Sequence, residues 1–394
     1  MTRFPAPVQP SFRPADAVQR VQRTSRRVQQ PQSTADLVSL AMGEPNFDTP
    51  AQVVAAAAEA LRAGHTHYSP TIGEKALRQA LAEKLQLLTA EDVSSEDVLV
   101  THGGTAGLAA VILAVVNPGD RVVVPDPTYS LYADLVSMAG GVLVPVPLAA
   151  DLHWDLGALS SALVDAKLFV FCNPSNPTGI VHSRAELEAL GRILEGTDTL
   201  VLSDEAYGDL VYTAEPFTSA LEVPELQGRT IYCQTFSKSY AMTGWRVGYL
   251  WGPAEVIAAT ARVHGTFNGS VNTANQLAAL TALQTCAPDI ARMHEAYARR
   301  RRLMVDGLSG IAGLSVGTPE GAFYVFPRYD SALTSEQMVA HLRDHGVAVR
   351  PGGEFGAAGE FHLRLSYAAS EEAIVEGVKR IAAGFAALRP DSGS

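Results

Sequence analysis

Cysteine is scarce in this sequence of 394 residues, which has only Cys172, Cys233 and Cys286. Each stands alone among apolar neighbours, so we expect buried free thiols rather than a disulfide framework or a cysteine-based metal site. Long apolar runs are also absent, because none reaches the roughly 18 residues that a membrane span requires. No apolar segment of the secretory type follows the N-terminal arginines. We therefore expect a cytoplasmic protein without a membrane segment.

Positive charge is in short supply as well, with 30 Lys and Arg against 41 Asp and Glu and a net charge of −11. A chain this acidic is not expected to bind the phosphate backbone of nucleic acids. The exception is the stretch of residues 1–35, which is rich in proline, glutamine and arginine and has few acids. We interpret it as an N-terminal arm, either solvated or containing a first helix that lies across a partner subunit. Its arginines are Arg3, Arg13, Arg20, Arg23, Arg26 and Arg27.

Only five residues of the chain are lysines, and four of them lie in charged, helix-like contexts: Lys75, Lys84, Lys167 and Lys379. The fifth, Lys238, follows the apolar, strand-like run 230–234. Ligands of open α/β sheets bind in the loops at the carboxyl ends of the strands, which is where this lysine would lie. Lys238 is therefore the candidate functional lysine, and the ordinary alternative is a solvated lysine in a turn.

Apolar strand-like runs alternate with amphipathic helical patterns from about residue 36 to residue 290. Continuous apolar strands separated by helices are typical of a mostly parallel sheet covered on both faces. The sequence thus predicts an α/β protein whose large domain holds a seven-stranded, mostly parallel sheet flanked by helices. The seven runs are 98–101, 121–124, 142–146, 168–172, 200–203, 230–234 and 247–251.

The C-terminal part has a different pattern, in which strands and helices are grouped. The stretches 275–284 and 290–308 predict a long helix that leaves the large domain, and a smaller α+β domain is expected after it. The extended segment 37–41 is expected to join this smaller domain, which would then be built from both chain termini. The predicted division is an arm over residues 1–35, a large domain over 50–290, and a small domain over 36–49 with 291–394.

The stretch 237–249 combines a lysine, hydroxyl side chains and Arg246. A lysine amine can form a Schiff base with an aldehyde, and hydroxyls with a guanidinium suit a phosphate dianion. Pyridoxal phosphate carries both an aldehyde and a phosphate, and its enzymes also need an acid beside the ring nitrogen. Asp204, which closes the apolar run 200–203, is the candidate acid, although an ordinary strand-end carboxylate is the alternative. These residues predict a pyridoxal phosphate site.

Further candidates follow other strands. Asn176 lies in a loop stiffened by two X-Pro steps, Tyr129 offers a face for a flat ring, and Tyr207 lies three residues after Asp204. The glycines of 101–108 separate a strand from a helix and suit a phosphate, but this stretch lacks both the dinucleotide fingerprint and the P-loop lysine. Arg364, inside an apolar strand, needs either a protein acid or an anionic ligand. Packed tyrosines, simple turns and an internal ion pair are the ordinary alternatives.

Taken in order, these segments resemble the fold-type-I pyridoxal phosphate enzymes, specifically the class I/II aminotransferases. The similarity runs from Gly43 to the segment around Arg364, which is nearly the whole chain after the arm. Three motifs are specific when they occur together: Asn176 to Gly179, Asp204 with Tyr207, and Lys238 to Arg246.

The resemblance implies that Lys238 is the Schiff-base lysine and later the proton carrier, and that Asp204 pairs with the ring nitrogen. It implies that Tyr207 and Asn176 contact the ring hydroxyl and that Tyr129 stacks on the ring. Arg364 would bind the substrate α-carboxylate, with Asn176 assisting and Gly43 lining the substrate site. The phosphate would be held by Gly104, Thr105, Thr235, Ser237 and Arg246, and Tyr68 would reach the phosphate of the partner subunit in a homodimer.

One position departs from the pattern of similar bacterial members that act on aspartate. They have a lysine after the paired glycines that helps to bind the distal carboxylate, whereas this sequence has Thr105, with no obvious replacement cation.

The leading hypothesis is transamination between an L-amino acid and a 2-oxo acid. An enzyme of the same fold that eliminates, cyclises or oxidises an amino acid is the alternative, because motifs that bind the cofactor do not decide the outcome. A pyridoxal phosphate-binding regulator without activity is less well supported, because Lys238, Asp204 and Arg364 are all present.

Overall fold

The computed structural model describes residues 12–28 and 36–388. The helices of this part of the chain are α1 (Asp16–Thr24), α2 (Ala51–Arg62), α3 (Lys75–Gln86), α4 (Gly103–Val115), α5 (Leu131–Ala139), α6 (Leu156–Ala162), α7 (Arg184–Ile193), α8 (Phe236–Ser239), α9 (Ala254–Asn268), α10 (Thr273–Thr285), α11 (Ala287–Ser309), α12 (Ser335–Asp344) and α13 (Glu371–Ala387). The strands are β1 (Val38–Ser39), β2 (Leu99–Thr101), β3 (Arg121–Asp126), β4 (Val142–Pro147), β5 (Ala166–Cys172), β6 (Leu200–Asp204), β7 (Thr230–Thr235), β8 (Gly248–Trp251), β9 (Leu314–Ser315), β10 (Tyr324–Val325), β11 (Arg328–Tyr329), β12 (Val347–Ala348), β13 (Arg350–Pro351) and β14 (Leu363–Ser366).

A seven-stranded sheet in the order β2-β8-β7-β6-β5-β3-β4 forms the centre of the protein. Only β8 runs antiparallel to its neighbours β2 and β7, and the other pairings are parallel. The prediction of an α/β fold with a mostly parallel sheet of seven strands is therefore confirmed. Each predicted strand agrees with the observed bounds at one end and differs from them by one or two residues at the other.

Side chains of the central strands pack on both faces of the sheet. Along β5, Leu168 and Val170 point into one apolar cluster, whereas Phe169 and Phe171 point into the cluster on the opposite face. This period of two, with every one of these side chains fully buried, is the reason that the strand reads as a continuous apolar run in the sequence. The helices that cover the two faces hold the polar ends of these strands at one edge of the sheet.

Short strands join the two ends of the chain. Val38 of β1 pairs in parallel with Val347 of β12, and β10, β14 and β13 form a three-stranded antiparallel sheet. Helix α11 packs against α13 beside them. These contacts agree with the expected association of 36–49 with the C-terminal part, and the exact domain boundaries stay a prediction.

The prediction of one long helix is wrong. The structure has two helices, α10 ending at Thr285 and α11 beginning at Ala287, and Cys286 ends one and begins the other. Pro288 in the first turn of α11 explains the break, because its ring clashes with the preceding turn and it lacks an N–H to donate. All three cysteines are buried and free, as predicted.

Helix α1 lies on α5 of the same chain. The Nε atom of Arg20 donates to the carbonyl oxygen of Ser137 at 2.9 Å, and the Thr24 and Ser137 hydroxyls are 2.8 Å apart. The structure therefore shows a helix in the arm, which is one of the two interpretations. In this chain the helix contacts the large sheet domain of the same chain. The rest of the predicted arm, residues 1–11 and 29–35, lies outside the described residues. No helix among the described residues is long and apolar enough to cross a membrane.

We expect Leu202→Ala to destabilise the protein by about 2–5 kcal/mol, because it leaves a cavity in the buried centre of β6. Urea unfolding followed by circular dichroism measures the loss. The matched control is Leu87→Ala, whose side chain is 85% exposed and loses little on truncation. Equal midpoints for the two variants would contradict the central position of this strand in the core.

Candidate active site

Polar residues converge at the edge of the sheet where the parallel strands end. Asp204 is the last residue of β6, Thr235 is the last residue of β7, and Asn176 lies in the loop after β5. Together they line a cavity of about 340 Å³. The structure brings almost all the predicted site residues to this cavity: Gly43, Gly104, Thr105, Tyr129, Asn176, Asp204, Tyr207, Thr235, Ser237, Lys238, Arg246 and Arg364.

Lys238 lies in the single turn of α8, directly after β7. Its Nζ atom donates to the carbonyl oxygen of Gly43 at 2.7 Å, so the amine points across the cavity to the N-terminal segment. Burial, helped by the positive charge of Arg364, lowers the pKa of Lys238 to about 8. A lysine with such a pKa has a substantial neutral fraction near neutral pH, which is the form that attacks a carbonyl carbon.

Asp204 is a buried carboxylate at the floor of the cavity. The Tyr132 hydroxyl donates to its Oδ2 atom at 2.8 Å, and the N–H of Ala206 donates to Oδ1 at 3.3 Å. None of the ion pairs among residues 12–28 and 36–388 includes Asp204. Burial therefore dominates and raises the pKa of this carboxyl to about 6. A cation placed in the cavity beside Asp204 would offset that cost.

Hydroxyls and a guanidinium form a cradle at the beginning of α4. The Thr235 hydroxyl caps α8 through the N–H of Ser237 and donates to the Ser237 hydroxyl at 2.8 Å. Arg246 has a left-handed backbone (φ 57°), which is uncommon for a residue with a side chain and brings its guanidinium to the cradle. Gly103 has a φ of 72°, a conformation that favours glycine, and a Cβ atom there would lie 2.7 Å from Nη2 of Arg246. Free N–H groups of the first turn of α4 complete a site that suits a phosphate.

Arg364 is a buried guanidinium without an acidic partner among residues 12–28 and 36–388. Its Nη1 atom donates to Oδ1 of Asn176 at 3.0 Å, and its Nη2 atom donates to the carbonyl oxygen of Ala41 at 2.8 Å. Its Nε atom is buried and unpaired within the described part of the chain. Arg350, by contrast, forms a buried ion pair with Glu354. The internal ion pair considered for Arg364 is therefore not present among the described residues, and its charge faces the cavity.

Three cavity contacts were missed by the sequence analysis. The hydroxyl of Tyr324 lies 2.8 Å from that of Tyr207, Tyr132 holds Asp204, and the Arg27 side chain of the arm reaches the cavity. Tyr132 could have been found, since it lies in the first turn of α5, three residues after Tyr129. Tyr324 and Arg27 carry no local signal, because each is far from the other site residues in the chain.

The aminotransferase class I and II family model matches residues 35–381. An aspartate/prephenate aminotransferase of Thermus thermophilus is 40% identical over 354 residues, which cover 88% of this chain and 90% of that protein. An aspartate aminotransferase of Streptomyces avermitilis is 38% identical, covering 88% of both chains. The chain belongs to the class I and II aminotransferases.

Solved aminotransferase structures have the same fold. An aromatic aminotransferase from Pyrococcus horikoshii superposes with a TM-score of 0.87 at 32% identity, covering 93% of this chain and 98% of that one. The aspartate aminotransferase of Thermus thermophilus with maleate gives a TM-score of 0.83 at 36% identity, covering 94% and 97%. The family assignment from the motifs and the prediction of a transaminase are thereby confirmed.

Tyr68 is the one predicted site residue that the structure does not bring to the cavity of this aminotransferase. Its side chain is 99% exposed and lines a separate surface depression with His65 and His67. This position agrees with a residue that serves a partner subunit, but the homodimer stays a prediction.

We expect the amine of Lys238 in ligand-free protein to react with an acylating reagent with a midpoint near pH 8. The pKa is depressed because burial disfavours the ammonium form, so the neutral amine accumulates as pH rises through that value; an ordinary lysine titrates near ~10.4. Mass spectrometry of the labelled peptide gives the profile, and exposed Lys75 in the same sample monitors the reagent. A Lys238 midpoint at or above that of an ordinary lysine would contradict the burial of the amine.

Proposed function

We propose that this aminotransferase uses pyridoxal phosphate to move an amino group from an L-amino acid to a 2-oxo acid. The observation that carries the proposal is that one cavity holds three ionisable groups without ion-pair partners among the described residues: the Lys238 amine, the Asp204 carboxylate and the Arg364 guanidinium. The amine could react with the aldehyde of the cofactor, the carboxylate could pair with its protonated ring nitrogen, and the guanidinium could pair with a substrate carboxylate.

The residues present fit this cofactor. Thr235, Ser237 and Arg246 offer hydroxyl and guanidinium donors for its phosphate beside the N-terminus of α4. Asp204 would face the ring nitrogen, and Tyr207 and Asn176 would face the ring hydroxyl. Bound pyridoxal phosphate supplies an electron sink for the bonds at the substrate α-carbon.

Proton movement falls to Lys238. Its amine, with a pKa lowered to about 8, can take a proton from the substrate α-carbon and release it again near neutral pH. Asp204 would keep the ring nitrogen of the cofactor protonated, because a cation beside this buried carboxylate removes the cost of its charge. Arg364 and Asn176, which are hydrogen-bonded to each other, would bind and orient the substrate α-carboxylate.

We propose a homodimer in which Tyr68 of each subunit reaches the cofactor phosphate of the other. The Tyr68 side chain is 99% exposed, so it is free to contact a partner, and the adjoining depression of about 530 Å³ offers room for that partner. Within each subunit we propose a large domain over 50–290 and a small domain over 36–49 with 291–394. The β1–β12 pairing joins the two segments of the small domain.

We further propose dicarboxylic amino acids as substrates, with Arg27 as the cation for the distal carboxylate in place of the lysine that Thr105 replaces. Arg27 lines the cavity, its side chain is 47% exposed, and its nearest acid, Asp134, is 4.0 Å away. The Arg27 guanidinium is half-exposed, and 4.0 Å is a long separation for an ion pair, so this pair contributes little and the guanidinium can bind a ligand. The relatives named aspartate aminotransferases act on a substrate of this kind.

We expect Lys238→Ala to abolish turnover, because no other described amine lines the cavity. The measurement is the half-reaction of the holoenzyme with an L-amino acid, followed by the absorbance of the cofactor and by mass spectrometry of the product. Lys167→Ala, at an exposed position of β5, is the matched control and keeps activity. A 2-oxo acid product from the wild type supports transamination, whereas release of the β-substituent or a cyclic product would refute it. Full activity of the Lys238 variant would remove the mechanism.

We expect Arg27→Gln and Arg364→Gln to separate the two carboxylate sites. Loss of one charge-assisted contact of ~1.5–3 kcal/mol lowers kcat/KM by roughly 10- to 100-fold. The Arg364 variant loses this for every amino acid, whereas the Arg27 variant loses it for aspartate and glutamate and keeps the wild-type value for alanine. Steady-state kinetics with the three amino acids checks this, and an equal loss for all three in the Arg27 variant would refute the distal-carboxylate role.

A further inference from the structure

A second group of chemically active side chains lies away from the cofactor cavity. His153 is in the turn between β4 and α6, His182 directly precedes the N-cap of α7, and Glu186 is in the first turn of α7. One nitrogen or oxygen of each lies within 4.8 Å of the others. Among the described residues this is the one group of three or more His, Cys, Asp or Glu side chains with such spacing.

The two distances from Glu186 to the histidines match the ligand shell of a small transition-metal ion. Oε1 of Glu186 is 3.0 Å from Nδ1 of His153 and 3.2 Å from Nδ1 of His182. Zinc binds histidine nitrogen and carboxylate oxygen at about 2.0–2.2 Å, so ligands in its tetrahedral shell lie roughly 3.3 Å apart. Two imidazoles and one carboxylate suit zinc and its neighbours in the first transition row rather than calcium or magnesium.

Each of the three side chains is held in place by a further contact. Nε2 of His153 faces Oε1 of Glu320 at 3.7 Å, which is the carboxylate–histidine arrangement that orients metal-binding imidazoles. The His182 ring stacks on Trp154 with centroids 3.9 Å apart. The second oxygen of Glu186, Oε2, accepts from the N–H of Ser183 at 2.8 Å, which leaves Oε1 for the histidines.

The site is open on one side. It borders a cavity of about 680 Å³ that is also lined by residues 213–218. Three protein ligands with access to solvent leave the fourth position for water. We propose that His153, His182 and Glu186 bind one divalent transition-metal ion of the zinc class, with Glu320 as the positioning residue for the His153 ring.

The consequence for the protein is a link between two segments that line the cofactor cavity. The N–H of His182 donates to Oδ1 of Asn173 at 2.9 Å, and Asn173 begins the loop that carries Asn176. The N–H of Glu320 donates to the carbonyl oxygen of Gly179 at 2.8 Å, and Tyr324 follows four residues later. A bound ion would therefore hold these two segments together and raise thermal stability by mass action.

Without an ion, the same groups form a hydrogen-bonded ionic network. Hydrogen bonds to Glu186, and to a smaller extent to Glu320, raise the pKa of His153 to about 10. The His153 imidazole is therefore positively charged and lies between the two carboxylates. The two states differ in a measurable way, because only the metal-binding site takes up one ion per chain.

The test uses chelator-treated holoenzyme titrated with Zn²⁺ by calorimetry and with Co²⁺ by visible absorbance. The expected result is one ion per chain, tetrahedral Co²⁺ bands and a higher Tm with Zn²⁺. His153→Gln and Glu186→Gln weaken binding by more than about 100-fold and Glu320→Gln by about 10- to 100-fold, since it removes only an orienting contact. His65→Gln, at an exposed histidine elsewhere, is the matched control and binds as the wild type does.

Wild-type protein that takes up no stoichiometric ion overturns the proposal and leaves the ionic network as the role of the cluster. So does a His153→Gln variant that binds as tightly as the His65→Gln control. Anomalous scattering from wild-type crystals soaked in Zn²⁺ locates the ion independently of any variant, and a peak elsewhere than between His153, His182 and Glu186 also overturns it.

Discussion

The structure depends on the burial of a single carboxylate, that of Asp204, at the end of the central strand β6. A buried charge must be paired or neutralised, and here a tyrosine hydroxyl and a weak backbone contact are its partners within the described residues. The strands on both sides of β6 exclude water from the Asp204 carboxylate. Because no ion pair among the described residues includes this carboxylate either, its negative charge is not neutralised there. The fold keeps this carboxylate ready for a ligand that brings a positive charge of its own.

Three other residues of the cavity are also held in unfavourable states. Arg364 is buried without an acidic partner in the described part of the chain, burial lowers the pKa of the Lys238 amine, and Arg246 adopts a left-handed backbone at the edge of the cavity. Each arrangement costs stability in the ligand-free protein, and a bound ligand that contacts these groups would offset that cost. Strain and unmet charge are concentrated at the strand ends, while the apolar sheet behind them supplies the rigidity.

The cofactor cavity and the His153–Glu186 cluster lie on opposite sides of one short loop. Residues 173–179 present Asn176 to the cavity, and Asn173 of the same loop binds the backbone of His182. Glu320 faces His153 and also donates its N–H to Gly179. The loop is thus fixed from both sides, which explains how an amide with few covalent constraints keeps the orientation needed beside Arg364.

The sequence by itself determined the seven strands, the order of the site motifs and the identity of the lysine, the acid and the arginine that face the cavity. It could do so because continuous apolar strands are read from composition, and because the polar residues that follow each strand must meet at one edge of a parallel sheet. It predicted one long helix where Pro288 separates two, because a helical pattern alone does not show where the chain breaks.

Only the tertiary structure decided which distant residues complete the site. Tyr324 and Arg27 reach the cavity from segments about 300 residues apart in the chain, and Glu320 meets His153 across 167 positions. No local period or spacing encodes such contacts, since they arise from the way in which the β1–β12 pairing and the packing of α1 on α5 bring the ends of the chain to the sheet. The residue types that carry the chemistry could be identified from the sequence, whereas the distant residues that contact them are decided by tertiary packing.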